Sequence, residues 1–291
     1  MKPLEFSAPS SLDDALQQLS ALGGEAGILA GGTDLIIQHR AGVRTFGHML
    51  DIKGIPELNV LEYSDGGGLR LGAAVACAVL GEFEPARKHY PGLVEGAELI
   101  GSTQIQNRAS VGGNLCNGSP AADSVCSLIV LDAVCVVAGP KGTREVAARD
   151  FMTGPGATVL KQGELLVEIR VPPPPPRSAS SYLRFIPRNE MDIAVAGVAV
   201  NLTLAEDGET VASAAVALAA VAPTPLVVDA AAKALLGSKL EEGALEAAAQ
   251  ASRDAATPIT DVRGTAEYRR HLAGVLTRRT ARIAAERIQQ G

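Results

Sequence analysis

The sequence predicts an α+β chain, with α/β elements in its first half and a small antiparallel sheet with helices in its second. Three observations carry this. A strand–helix–strand pattern fills the chain up to about residue 55. Five consecutive prolines, Pro172 to Pro176, then interrupt it within "VPPPPPR" at 171–177. Their locked φ excludes a helix interior or a central strand and leaves a stiff polyproline II spacer. Beyond the prolines, two apolar runs flank a polar turn and are followed by three helical patterns. At 291 residues and 29.9 kDa the chain can hold two or three modest domains.

The first helix is read from "SSLDDALQQLSALGG". Ser11 is the candidate N-cap with Asp14 three residues on, Leu12, Ala15, Leu16, Leu19 and Leu22 share one face, and Gly23–Gly24 end it. The strand "AGILAG" follows, then the turn "GGTD", the helix "LIIQHRAG" and the strand "HMLDI". A second region opens with a strand at 69–75 and helices near 78–88 and 91–101. It continues through a glycine-rich segment to a helix from Asp123 to Leu131 and the strands "AVCVVAG" and "LLVEIRV". After the prolines, "AVAGVAVNLTL" and "VASAAVALAAV" form a hairpin around "AEDGE". Helices are expected at 227–236, 241–256 and 265–289. In the last, Tyr268, Leu272, Val275, Leu276 and Ile283 make one apolar stripe. Arg269, Arg270, Arg278 and Arg287 lie off it, as a solvated basic face or a docking face for an acidic partner. No internal repeat is present.

Composition narrows the function. The chain is 47% hydrophobic and 20% charged, as in ordinary globular proteins. It has no apolar run long enough for a transmembrane helix and no export signal at its start, so a cytoplasmic location is expected. A net charge of −6 argues against a nucleic-acid binder. The four cysteines, Cys77, Cys116, Cys126 and Cys135, form no C-x-x-C pair, and His39, His48, His89 and His271 are scattered. Free buried thiols are therefore expected, with no zinc or iron–sulfur site in this chain. With no Trp and few Tyr and Phe, redox chemistry here would have to come from a bound organic cofactor.

Two segments stand out together, "LAGGTDL" at 29–35 and "SVGGNLCNGSPAADS" at 110–124. Each places Gly-Gly after an apolar residue and before a small polar one. Without Cβ atoms, successive peptide N–H groups can converge on an anion, and Thr33 and Asn114 can add bonds to phosphate oxygens. Taken singly, GGTD is also an acceptable turn. Neither segment fits a P-loop or a G-x-G-x-x-G dinucleotide fingerprint. A diphosphate held between two loops of another kind remains. Asp123 is placed either to cap the helix that follows it or to offer an oxygen to a ligand hydroxyl.

The pair "AGGTDL" and "SVGGNLCNGSPAADS" resembles the flavin signature of the FAD-binding medium subunit of molybdenum hydroxylases, a family that includes the carbon monoxide dehydrogenase medium subunit and the xanthine dehydrogenase flavin domain. The likeness extends to "FMTGPGATVLKQGELLVEIRVP", "YLRFIPRNEMDIAVAGVAV" and "DVRGTAEYRRHLAGVLTRR", and so to essentially the whole chain. It implies a two-part FAD-binding domain, residues 1–55 and 56–176, and a C-terminal α+β domain, 177–291. It further implies that Ile28, Leu29, Ala30, Gly31, Gly32, Thr33, Asp34 and Leu35 wrap the FAD diphosphate. Ser110, Val111, Gly112, Gly113 and Asn114 would form the second wall, Asp123 would bond ribityl or ribose hydroxyls, and Ile100 and Leu166 would make apolar contacts. Arg184 stands where many members carry lysine, which keeps the charge but changes the geometry of its donors. The inserted iron–sulfur loop of the benzoyl-CoA reductase branch has no matching cysteines here.

The implied function is electron transfer within an oxidoreductase. A large molybdenum-cofactor subunit would hydroxylate substrate, and a small subunit with [2Fe–2S] clusters would pass electrons to the FAD of this chain. From there they would reach an external acceptor, the whole being a dimer of heterotrimers. On that reading no side chain here is an acid, base or nucleophile. A self-contained flavin-dependent oxidoreductase is the alternative, and it would need a His, Tyr or Cys beside the flavin. A scaffold that has lost FAD is the other.

Overall fold

The computed structural model describes residues 4–290. The N-terminal part consists of β1 (Glu5–Ser7), α1 (Leu12–Leu22), β2 (Ala26–Leu29), α2 (Leu35–Arg40) and β3 (His48–Asp51). The strands form a parallel sheet in the order β1-β3-β2. The Ser11 hydroxyl accepts a bond from the Asp14 N–H at 3.3 Å, Ala15 and Leu19 are buried, and Gly23 ends the helix at φ +59°. The expected strand–helix–strand unit is present. β1 is an addition, too short to leave a periodicity of its own.

The middle part is a five-stranded antiparallel sheet packed against short helices. In chain order it runs β4 (Leu61–Ser64), β5 (Gly68–Gly72), α3 (Cys77–Glu82), α4 (Glu84–His89), α5 (Pro91–Glu98), α6 (Thr103–Gln106), α7 (Val111–Cys116), α8 (Val125–Val130), β6 (Val134–Gly139) and β7 (Gly142–Ala147). The small ribbon β8 (Met152–Gly154) and β9 (Ala157–Thr158) and then β10 (Leu165–Val171) complete it, with sheet order β4-β5-β10-β6-β7. Three expectations need correction. The helix expected over 78–88 is two helices, because the chain becomes extended at Phe83 (ψ 102°) ahead of Pro85, which has no N–H for the ladder. The second glycine-rich segment is the first turn of α7, because the Ser110 hydroxyl caps it by accepting the Gly113 N–H at 3.0 Å. Asp123 does not cap α8: Ser124 occupies that position, and the Asp123 carboxylate is engaged elsewhere.

The prolines carry the chain from β10 to β11 (Ser178–Phe185), and the Tyr90 hydroxyl holds the first of them by donating to the Pro172 carbonyl at 3.0 Å. β12 (Ala196–Leu204), β13 (Val211–Ala219) and β14 (Leu226–Val227) add in turn to an antiparallel sheet. The expected hairpin is β12–β13. The sheet is covered by α9 (Asp229–Leu235), α10 (Glu242–Ala255) and α11 (Ala266–Gln290). Tyr182, Ala199 and Ala217 also pack in one core with Leu93, Val125 and Leu128, so the C-terminal sheet and the middle part share buried surface.

The stripe expected on α11 is corrected as well. Tyr268 is 40% exposed, whereas Ala273, Thr277, Thr280 and Ala284 are fully buried with Leu272 and Leu276. Small side chains let the helix lie close to the sheet and α10. Nor do the four arginines share one solvated face, although Arg270 is exposed. Arg269 is buried and donates to the Val195 carbonyl at 2.8 Å, the Ala220 carbonyl at 3.1 Å and the Asp261 carboxylate at 2.7 Å. Arg270 donates to the Ala256 carbonyl, Arg278 pairs with Glu242 and Glu246, and Arg287 reaches Glu95 on α5. No described helix is long and apolar enough to cross a membrane.

Candidate functional site

The first glycine segment and the start of α7 face each other across a cleft of about 410 Å³. That volume is in the range of small-molecule and cofactor sites, about 300–1,000 Å³. Ile28, Ala30, Gly31, Gly32, Thr33, Asp34 and Leu35 line one side. Ser110, Gly112, Gly113 and Asn114 line the other, with Ile100 and Leu166 adding apolar wall. Leu29 and Val111 are buried off the lining.

The glycines have separate reasons. A Cβ on Gly31 would stand 2.1 Å from the Arg108 carbonyl oxygen and 2.8 Å from the Ala109 Cα, so this glycine lets the two segments touch. One on Gly112 would stand 2.5 Å from the Ala73 carbonyl oxygen. Gly32 sits at φ +76° and makes the sharp turn into α2. Of these four glycines Gly113 has the most room, a Cβ there meeting only the Ser110 hydroxyl at 3.1 Å and the Ala30 methyl at 3.9 Å.

Side chains from both segments complete the site. The Ser124 hydroxyl donates to the Asn114 amide oxygen at 2.7 Å, so the amide donor is the end of Asn114 left for a ligand. Gln38 on α2 donates to the Asn117 amide oxygen at 2.9 Å, which ties the two segments together. The Gln38 oxygen is buried with no partner among the described residues. Burial raises the Asp34 carboxyl above its ordinary range, opposed by the charge of Arg44. Burial pushes the Cys116 thiol up to about 12, so it is protonated at neutral pH and inert as a nucleophile. No His or Tyr lines the cleft among the described residues. Sequence reading missed Gln38, Arg44, Phe46, Cys116, Asn117 and Leu165, all on the lining. The available signal was helical spacing: Gln38 follows Asp34 by four residues.

Asp123 and Arg184 do not line this cleft. They form a buried ion pair at 2.6 Å between the start of α8 and β11, with side chains 9% and 5% exposed. The Tyr182 hydroxyl donates to the other carboxylate oxygen at 2.9 Å. Burial pushes the Asp123 carboxyl up to about 6, and the Arg184 charge and Tyr182 hydrogen bond pull the other way. Nearby, the Glu95 carboxylate accepts the Tyr182 N–H at 2.8 Å and an Arg287 N–H at 3.2 Å. The charges of this junction are paired within the protein, although the Arg184 Nε is buried without a hydrogen-bond partner among the described residues.

Comparison with known proteins shows the family of the chain. Residues 2–174 match the family described as FAD binding domain in molybdopterin dehydrogenase, and residues 181–284 match the CO dehydrogenase flavoprotein C-terminal domain. The carbon monoxide dehydrogenase medium chain of Afipia carboxidovorans is 36% identical, over 97% of this chain and 97% of its own length. The putative xanthine dehydrogenase FAD-binding subunit of Escherichia coli K12 is 33% identical, over 94% and 93%. The solved structure of reconstituted CO dehydrogenase from Oligotropha carboxidovorans superposes with a TM-score of 0.93 at 35% identity, covering 99% of this chain and 100% of that one. A cleft between two glycine segments, on a fold shared along its whole length, makes this chain a member of the FAD-binding medium subunits of the molybdenum hydroxylase family of oxidoreductases.

Proposed function

We propose that this chain is the electron-transfer subunit of a cytoplasmic heterotrimeric molybdenum hydroxylase. Its FAD supplies the redox chemistry that links [2Fe–2S] centres on a small subunit to an external acceptor, while substrate is hydroxylated on a large molybdenum-cofactor subunit. Two such heterotrimers would form the complete assembly. The observation that carries the reading is the lining of the cleft. It offers turn backbone, amides and apolar wall, and its one ionisable sulfur is held protonated. Such a lining binds and orients a cofactor: its ionisable side chains, Asp34, Arg44 and the protonated Cys116, include no nucleophile, and the redox chemistry is left to the cofactor.

In this reading the backbone from Ile28 to Leu35 and the turn from Ser110 to Asn114 hold the diphosphate from two sides. The Thr33 hydroxyl and the Asn114 amide donate to its oxygens. Leu29 and Val111 back the two walls, and Ile100 and Leu166 exclude water from the apolar part of the cofactor. Asp123 has both oxygens occupied once by its own protein. Although the residue lies off the cleft lining, each keeps a second lone pair for a ribityl or ribose hydroxyl that extends past it, with Arg184 holding the carboxylate in place.

Purifying the chain alone and together with its two partner subunits tests this. The chain alone is expected to bind FAD and to keep its yellow colour when aldehydes, N-heterocycles or carbon monoxide are added anaerobically. Bleaching by a substrate of the complex is expected only when all three subunits are present. Substrate-dependent bleaching of the isolated chain would sink the proposal.

A further inference from the structure

One wall of the cleft carries a cation with no ion-pair partner among the described residues. Arg44 lies beyond the C-terminal end of α2, where the Val43 and Arg44 amides fold back to donate to the Gln38 carbonyl at 2.9 and 3.3 Å. This backward turn sets the side chains of Gln38 and Arg44 on the same wall. Arg44 is the only Lys, Arg or His lining the cleft among the described residues. Its half-buried guanidinium makes no ion pair and no side-chain hydrogen bond with the described residues. The Arg44 charge acts on the Asp34 carboxyl, on the same lining, without forming an ion pair. Beside it, the Gln38 amide oxygen is buried and unpartnered.

We propose that Arg44 is a cofactor-binding residue, its guanidinium forming the charge-assisted clamp on the FAD diphosphate, with the Gln38 amide oxygen accepting a donor from the same ligand. The proposal rests on the FAD reading above. The chemistry favours it. A doubly negative diphosphate facing Asp34 needs a compensating cation, and the planar guanidinium fork matches phosphate oxygens in a way that an ammonium does not. A buried amide oxygen left without a donor is disfavoured unless a ligand supplies one.

The test is titration of the cofactor-free full chain with FAD, followed by flavin fluorescence at low and high salt, for the parent, Arg44→Lys and Arg44→Ala. Arg44→Ala is expected to weaken FAD binding by about 10- to 100-fold at low salt, the scale of a hydrogen bond to a charged group. It is also expected to flatten the dependence of affinity on salt, because an ionic contact has been removed. Arg44→Lys should recover part of the affinity and most of the salt dependence. The unfolding midpoint of the cofactor-free chain should be unchanged in both variants, since the Arg44 side chain makes no hydrogen bond or ion pair with the described residues. Binding by Arg44→Ala within twofold of the parent would overturn the assignment. So would weaker binding whose salt dependence matches the parent, which would mark a packing role. If the parent itself fails to bind FAD, the FAD reading falls, a result separate from either of these.

Discussion

The cleft wall and the junction between the middle part and the C-terminal sheet are both built around buried or half-buried charge, and they solve its electrostatics in opposite ways. At the junction, Asp123 is held by Tyr182 and Arg184, and Glu95 by the Tyr182 amide and Arg287. In the cleft, Arg44 has no side-chain hydrogen bond and the Gln38 oxygen no partner among the described residues. The difference separates glue from receptor. Paired buried charge fixes how two sheets sit together, and the Arg184 Nε left over there is enclosed by protein, whereas the unanswered groups of the cleft face a space that another molecule can fill.

The largest expected effect breaks the glue. Asp123→Ala leaves the Arg184 guanidinium buried without its carboxylate, and breaking such a pair destabilises by about 3–5 kcal/mol. Urea unfolding of the cofactor-free chain should show it, and a loss below about 1 kcal/mol would mean that water reaches this junction. A smaller effect sharpens the same point through pH. The Asp123 carboxyl is raised from its ordinary value near 3.8 to about 6, so its folded form holds a proton more tightly than its unfolded form. The resulting stabilisation is fully present below about pH 4 and is lost as pH rises through about 6. It amounts to at most about 3 kcal/mol for a shift of this size. The stability difference between parent and Asp123→Asn should therefore change between pH 4 and 6 and be flat from 7 to 8. A difference that stays constant throughout would show that the carboxyl is not shifted.

What was legible in the sequence follows the same division. Backbone-determined features could be read directly. Ser11 with Asp14 gave the first helix its start, the proline run marked the passage from β10 to β11, and the paired glycines located both walls of the cleft. Features set by distant partners could not. Arg269 reads as a solvent-facing cation on α11, and only the carbonyls of Val195 and Ala220, far away in sequence, bury it. Arg44 carries no sequence signal at all, lying in the turn beyond a short helix, and only the fold brings it to the cleft. Asp123 reads either as a helix cap or as a ligand contact because α8 starts nearby, and only Tyr182 and Arg184 on β11 show where its oxygens go.

The paired glycines carry the smallest predicted effects and divide most cleanly between the two roles. Gly31 and Gly113 both line the cleft and both sit in Gly-Gly pairs, so sequence alone assigns them one purpose. Their surroundings differ. An added methyl at Gly31 would press on the backbone of Arg108 and Ala109, which cannot move aside as a side-chain end could. Gly31→Ala should cost about 1–3 kcal/mol of stability through overpacking, and FAD affinity should fall with it as the two walls are pushed apart. At Gly113 the methyl would meet only the Ser110 hydroxyl and the Ala30 methyl. Alanine inside a helical turn is favoured over glycine by about 1 kcal/mol, which offsets the close contact. Gly113→Ala should thus leave stability within about 1 kcal/mol of the parent while weakening FAD, because the methyl takes space that the cofactor needs. Chemical denaturation and FAD titration on the same two variants distinguish these outcomes. Equal loss of stability in both would mean that the second wall, like the first, is held by backbone contact, and that the open face of the cleft lies elsewhere.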